Sequence, residues 1–489
     1  MTILERVDRR AAHPPGPWDE ALPIAVALRE LAGGAVPGAT DRLLSATLAL
    51  GPSAAPDPTE LFGAALRAGL EASLWLQPHE GFALVGLGRA WSVEAAGPGR
   101  FEAIAEAWRR RLDGARLRND GGRVRGTGPL LLGGLGFTGD RPTDARWVPF
   151  GAASLVLPQL LLAWAPGGAW LTASLVAPEG DDPADLETLW RRLARRSAAA
   201  SRDRSAAASP SARLTVVGEQ PDRPTWNRLV GSFAGAVGRG RLDKVVLARR
   251  VDLGAWADID AVDALRRLAA TAPETTTYAV ARGGIVFLGA TPERLVRTEG
   301  AAFRTVAVAG SIRRGADAAE DAALAAELLA SEKDREEHEI VVQMLRSTLA
   351  PIAERLTVAA EPTVVAHRTV HHLVTPVTGR LRDRTSILAL ARRLHPTPAV
   401  GGEPRDLALE LIAEHEGFDR GWYAAPLGWV GTDGDGEFVV ALRCAVVSGT
   451  TASLFAGCGI VADSDPAREW EESRIKLEVV AAALGELRP

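Results

Sequence analysis

Beyond Pro224 the sequence is cut into short β-branched and apolar runs, and several neighbours are joined by turns too short to hold a crossover helix. Lys244–Val251, Thr277–Ala281, Ile285–Ala290, Phe303–Ala309, Thr363–Val377, Glu437–Val447 and Ser453–Ile460 read as strands. Arg282-Gly283-Gly284 and Ser448-Gly449-Thr450 link neighbouring runs. Such a link can only reverse the chain, whereas a parallel pair needs a much longer crossover. Antiparallel pairing follows, with the helical patterns Ile259–Ala270, Asp317–Leu349 and Leu407–Glu416 set between strands. The fold class expected is α+β, with packed sheets and helices on the outside.

The rest of the chain is less sharply marked. Residues 1–19 are rich in Pro, Arg and Ala and are expected to be poorly ordered. Residues 20–194 mix a helical pattern at Phe101–Leu112 with strand patterns such as Pro129–Phe137. Arg195–Arg213 is polar and of low complexity, and reads as an exposed loop. Residues 224–487 carry nearly all the chemical motifs, and no internal repeat stands out. Phe150–Pro178 holds no charged residue and is long enough to cross a bilayer. Pro158, Gln159 and the turn Pro166-Gly167-Gly168 interrupt it, so a buried hairpin with arms Ala153–Trp164 and Ala169–Val176 is expected instead of a span.

Composition narrows the class of partner. The chain has 489 residues, a net charge of −5 and two cysteines, Cys444 and Cys458. No basic field invites nucleic acid. Two cysteines build no disulfide framework and suit a reducing cytoplasm, and the charged N-terminus lacks the apolar core of a signal peptide.

Two acidic helices carry the strongest chemical signal. Glu469, Glu472 and Lys476 stand at i, i+3 and i+7 and share a helical face, just after the glycine pair Gly457 and Gly459. Asp334, Glu337 and Val341 share a face of a second helix. One carboxylate from each helix would suit a hard divalent cation that also takes oxygens from an anionic substrate. The plainer alternative is two solvated charge stripes. Lys244 opens a strand on which it shares a face with Val246 and Ala248. It is either a desolvated amine able to act as a base, pushed further by Arg249 and Arg250, or an edge-strand lysine that discourages strand addition. Glu293, after Pro292, is either a general acid aimed into a cleft or a turn glutamate paired with Arg294. Gly310 permits close backbone approach and Ser311 offers a hydroxyl. His371 and His372 face opposite ways. Arg443 lies in an apolar run and wants a carboxylate partner, from the protein or from a ligand.

Taken together these segments resemble the chorismate-utilising enzymes: anthranilate, aminodeoxychorismate, salicylate and isochorismate synthases. The resemblance covers residues 224–487. It rests on Lys244-Val-Val-Leu-Ala-Arg249, Phe287-Leu-Gly-Ala-Thr-Pro-Glu-Arg-Leu295, His395-Pro-Thr-Pro-Ala-Val-Gly-Gly402, Arg420-Gly-Trp-Tyr-Ala-Ala-Pro-Leu-Gly-Trp429 and Phe455-Ala-Gly-Cys-Gly-Ile-Val-Ala-Asp-Ser-Asp-Pro466. The menaquinone-pathway isochorismate synthases are the members these segments match best.

The resemblance implies two stacked antiparallel sheets, with the N-terminal region built into the same stack. It implies conversion of chorismate to isochorismate: Lys244 activates water for attack at C2 and Glu293 protonates the departing C4 hydroxyl. It assigns Mg²⁺ to Glu337 and Glu472, with Asp334 and Glu469 in support. It assigns the substrate to Gly310, Ser311, His372, Tyr423, Arg443, Gly457, Gly459 and Lys476. The lysine favours water over ammonia, so no glutaminase partner is expected, and the chain would act as a monomer or homodimer. Salicylate synthase, which carries the same lysine, and a non-catalytic chorismate-binding protein are the competing readings.

Overall fold

The computed structural model describes residues 24–33, 42–51, 55–177, 183–204, 212–367 and 370–487; residues 1–19 lie outside that set. Strand pairing gathers these residues into a 14-stranded and a 10-stranded sheet. Nearly all pairs are antiparallel; the exceptions are at the rims, Arg42–Leu50 with Arg116–Asn119 and Ala212–Gln220 with Gly485–Leu487.

The N-terminal third is not a separate lobe. Its strand Ala72–Gln77 pairs with Thr276–Arg282 in the larger sheet. Its strand Leu131–Leu135 pairs with Pro426–Val430 in the smaller one. Both sheets therefore run without interruption from the first third of the chain into the last.

Side-chain alternation sorts the core. In Thr276–Arg282, Tyr278 and Val280 point between the sheets, whereas Ala279 and Ala281 point to the helix-covered face. Phe287 faces inward and Val286 and Leu288 outward on the next strand, as a period of two requires. Between the sheets Trp147 meets Phe287 at 5.2 Å and Phe455 at 5.5 Å, and Phe150 meets Trp422 at 5.2 Å. Aromatic pairs at such spacing add to the area they bury.

Several expected elements are divided. The expected hairpin of Phe150–Pro178 is three strands, Ala153–Leu157, Leu160–Ala165 and Gly168–Ala177. The first belongs to the smaller sheet and the other two to the larger. Pro158, which has no N–H to donate to a ladder, marks the passage. Glu437–Val447 splits in the same way into Gly436–Val440 and Cys444–Ser448. The helical stretch Asp317–Leu349 breaks at Ser331, whose side chain accepts from Asp334 N and caps the helix Glu332–Leu349. Thr363–Val377 is two strands, Thr363–Ala366 and Val370–Leu381.

The expected loop Arg195–Arg213 is corrected. Helix Pro183–Arg204 runs through its first half, and strand Ala212–Gln220 takes up its end. Ala and Arg are strong helix formers, and that preference outweighs the low complexity of the segment. No described helix is long and apolar enough to cross a membrane.

One buried charge network ties the first third of the chain to its middle and last thirds beside the crossings. Glu437, fully buried, accepts from Gln77 Nε2 at 3.0 Å and Arg294 Nε at 2.7 Å, and pairs with Arg125. Glu80 takes Arg125 at 2.6 Å, Arg294 at 2.6 Å and Arg297 at 2.8 Å. Burial works against ionisation of Glu80, but those three guanidinium groups hold it down at about 2. Removing one partner of such a set leaves buried charge uncompensated. Glu437→Ala is expected to cost about 3–5 kcal/mol in guanidinium unfolding, whereas a loss under about 1 kcal/mol would show the network to be solvent-screened.

Candidate active site

The site forms where the chain passes from one sheet to the other. Strand Ile285–Thr291 ends in the larger sheet, Pro292 and Glu293 cross, and Arg294–Glu299 begins in the smaller. Gly436–Val440 ends in the smaller sheet, residues 441–443 cross the other way, and Cys444–Ser448 begins in the larger. The two passages are hydrogen-bonded together: Ala290 N donates to Arg443 O at 3.1 Å and Val440 N to Glu293 O at 3.0 Å.

Arg443 is thus not inside a strand, as the apolar run suggested. It sits between two, at φ +49°. The left-handed conformation is costly for an arginine, and here it turns the guanidinium into a cavity bounded by Glu293, Gly310, Ser311, Glu337, His372, Tyr423, Gly457, Gly459, Glu472 and Lys476. Val246, Pro292, Ala399, Val400, Leu442 and Phe455 are among the apolar residues of the wall. Gly289 makes the adjoining passage possible, because a Cβ there would meet Arg443 O at 2.7 Å and Tyr278 Oη at 2.6 Å.

Glu293 is 5% exposed. Burial pushes its carboxyl up to about 7, against the pull of Lys244 and Arg443. The alternative pairing with Arg294 does not occur, because Arg294 is taken by Glu437 and Glu80. Glu293 is therefore a carboxyl able to hold a proton near neutrality at a cavity wall, which is what a general acid requires.

Lys244 is not an edge lysine. The head of its strand, Lys244–Ala255, is flanked by Thr451–Ile460 on one side and by the short strand Gly402–Glu403 on the other, with Lys244 opposite Glu403. The side chain is 1% exposed, and Nζ donates to Glu337 Oε1 at 2.7 Å. The pair lies directly over Gly459, where a Cβ would press into both Glu337 Oε1 and Lys244 Cε. Arg249 and Arg250 are engaged elsewhere: Arg249 lies over the Trp470 ring and bonds Glu219, and Arg250 bonds Asp252.

The two acidic helices face each other as their periodicity implied. Glu332–Leu349 packs on the strand Ala302–Arg313 of the smaller sheet, and Pro466–Leu484 packs on Thr451–Ile460 of the larger. Asp465 caps the latter helix by accepting from Ala467 N and Arg468 N. Glu337 and Glu472 both line the cavity. Lys476 Nζ bonds Glu472 Oε1 at 2.5 Å and Gly457 O at 2.9 Å. Lys333, which the sequence did not single out, bonds Glu469 Oε1 at 3.1 Å and so ties the two helices together.

Asp334 is pushed up by burial and by Glu337 and Glu472; it also bonds Ser331 Oγ at 2.5 Å. Glu469 is pushed up to about 7 by burial and by Glu472. Burial also opposes ionisation of Glu337, but Lys244, with Lys476 and Lys333, holds its carboxyl below the usual range. Carboxylates that raise one another's pKa are those a cation would relieve, and an all-oxygen set fits a hard divalent ion. Cys458 lies within 4.8 Å of the Glu469 and Glu472 oxygens, but burial pushes its thiol far up and Sγ donates to Glu469 O at 3.1 Å. It does not belong to that donor set.

Opposite, Gly310 (φ +76°) forms a bulge against which the backbone and Cβ of Asp334 pack. Ser311 Oγ contacts His372 Nδ1 at 2.8 Å, and Arg443 Nη2 reaches His372 Nε2 at 3.4 Å. Burial, with Arg443 and His367 nearby, holds His372 neutral, well below its ordinary range. His371 points away and contacts Asp321 at 2.9 Å. The Tyr423 hydroxyl sits over Gly457, where a Cβ would lie 2.9 Å from it, and the ring stacks on Phe455 at 5.4 Å. The cavity thus holds an acid, a lysine, a carboxylate cluster, and cationic and hydroxyl groups fit for an anionic ring.

A chorismate binding enzyme family model matches residues 38–485. The chain is 37% identical over 428 residues to the salicylate biosynthesis isochorismate synthase of Pseudomonas aeruginosa, covering 88% of each. It is 33% identical to isochorismate synthase MenF of Bacillus subtilis, over 84% of this chain and 87% of that one. The solved structure of MenF, the menaquinone-specific isochorismate synthase from Escherichia coli, superposes with a TM-score of 0.73 at 27% identity, over 95% of this chain and all of that one. The match along nearly the whole described chain makes this chain a member of the chorismate-binding enzyme family.

Proposed function

We propose that the chain is an isochorismate synthase, an isomerase that moves a hydroxyl on chorismate by adding water at C2 and losing the C4 hydroxyl. The observation that carries this reading is a proton-holding Glu293 on the cavity wall, with the buried Lys244 close behind that wall and bonded to the wall carboxylate Glu337. Its relatives named as isochorismate synthases support it.

In this reading Lys244, after its ammonium has given up a proton to solvent, takes a proton from the attacking water as the neutral amine, and Glu293 delivers its proton to the departing hydroxyl. The two act on one ring held between them, so the bimolecular step becomes an oriented one. Arg443 and Lys476 offset the substrate's carboxylates, and Tyr423 and the Ser311–His372 pair orient the ring. Glu337 and Glu472 would hold Mg²⁺, with Asp334 and Glu469 in support; bound there, the ion would neutralise a ring carboxylate and let a dianion enter a dry site. We propose menaquinone synthesis as the destination and the cytoplasm as the compartment. We also propose a monomer or homodimer that acts without a glutaminase.

Incubation of the purified protein with chorismate, with Mg²⁺ or with EDTA, tests both parts of the reading. Chromatography with NMR identification is expected to find isochorismate with Mg²⁺ and none with EDTA. Salicylate and pyruvate as main products would make the chain a salicylate synthase instead. Bound but unconverted chorismate would make it a binding protein. Lys244→Ala and Glu293→Gln are each expected to lower turnover at least about 10²-fold with circular dichroism unchanged; near-normal rates would remove the assigned roles.

The acid role also fixes a pH dependence. Glu293 donates only when protonated, and its protonated fraction falls as pH rises through about 7. The high-pH limb of kcat/KM is therefore expected to begin near that value and to fall about tenfold per unit above it. A profile still flat at about pH 9 would mean that Glu293 is not the donor.

A further inference from the structure

Each of three carboxylates in the acidic cluster is bonded to a lysine ammonium: Glu337 to Lys244, Glu472 to Lys476 and Glu469 to Lys333. The three lysines are not equivalent. Lys333 is 35% exposed and can turn to water. Lys476 has a second acceptor in Gly457 O. Lys244 is 1% exposed, and among the described residues its Nζ bonds Glu337 alone. A cation bound at Glu337 needs the lone pairs that the Lys244 ammonium now occupies, and two positive charges repel strongly across a buried carboxylate.

We propose that Lys244 is an internal competitor for the metal site: a divalent ion binds Glu337 only by displacing the Lys244 ammonium, and the displacement turns that ammonium from Glu337 into the substrate cavity. This rests on the metal site proposed above and goes beyond it. The ion and the lysine share one carboxylate, so occupancy of the site and presentation of the lysine become a single event. Gly459 is the structural condition for the shared carboxylate, because a Cβ there would press into both Glu337 Oε1 and Lys244 Cε. Before metal arrives Lys244 is held by Glu337. The arrangement predicts that metal affinity in the substrate-free protein is lowered by the very lysine proposed for catalysis.

Calorimetric titration of Mg²⁺ and of Mn²⁺ into the full-length, substrate-free protein tests this without any turnover. Lys244→Met removes the competing charge and is expected to bind the ion at least about tenfold tighter than the unaltered protein. Lys244→Arg keeps a charge and is expected to gain no affinity. Glu337→Gln is expected to lose binding. Should Lys244→Met fold poorly without metal, thermal unfolding gives the same answer, since tighter binding appears as a larger rise of Tm on adding Mg²⁺ than the unaltered protein shows. Equal or weaker binding by Lys244→Met, with Glu337→Gln still deficient, overturns the competition and leaves the metal site standing. No binding by the unaltered protein or by Lys244→Met removes the metal site, and the inference with it.

Discussion

The arrangement depends on two neighbouring chain passages that leave one sheet for the other at the same level and hydrogen-bond to each other as they go. Ala290 to Arg443 and Val440 to Glu293 are ordinary amide–carbonyl bonds. They join two of the places at which the chain passes from one sheet to the other. A strand end buried this way must satisfy its polar backbone or lose stability, and each passage satisfies the other. The result is a fixed gap between stacked sheets, with a carboxyl on one passage and a guanidinium on the other.

Around that gap the packing decides which charges face inward. Arg294 is drawn off by Glu437 and Glu80, and this leaves the adjacent Glu293 unpaired with its chain neighbour. Arg249 and Arg250 are likewise occupied elsewhere, so the lysine at the head of their strand is left to pair with Glu337. Glycine at positions 289, 310, 457 and 459 removes the side chains that would fill the approach. The cavity's chemistry is thus set as much by the charges taken out of it as by those pointing in.

Much of this was legible in the sequence because helices and strands have fixed periods. The spacing of Glu469, Glu472 and Lys476, and of Asp334 and Glu337, placed each set on one face, and the structure brings the two faces together. The short Gly-containing links gave antiparallel pairing. The passages between sheets were not legible. Glu437–Val447 reads as one apolar run because both sheets bury it, so no change in alternation marks where it crosses. Arg443 therefore looked like a strand residue. Pro158 did signal an interruption, but not that the chain changes sheets there. Lys333 escaped notice because one more charge on a charged helix carries no periodic signal. Segment 195–204 was misread because its polarity was weighed above the helix preference of Ala and Arg.

The continuity of both sheets bears on the order in which the molecule can be assembled. Gln77 bonds Thr276 across 199 residues of sequence and Glu437 across 360. A ribosome releasing this chain delivers Ala72–Gln77 and Leu131–Leu135 long before the strands they pair with exist. Until then each presents an open edge, the feature that invites pairing with the wrong chain. Pairing at such distance is slow, so the nascent chain spends its synthesis with two unclosed seams, and the gap that holds the chemistry is the last part to acquire walls.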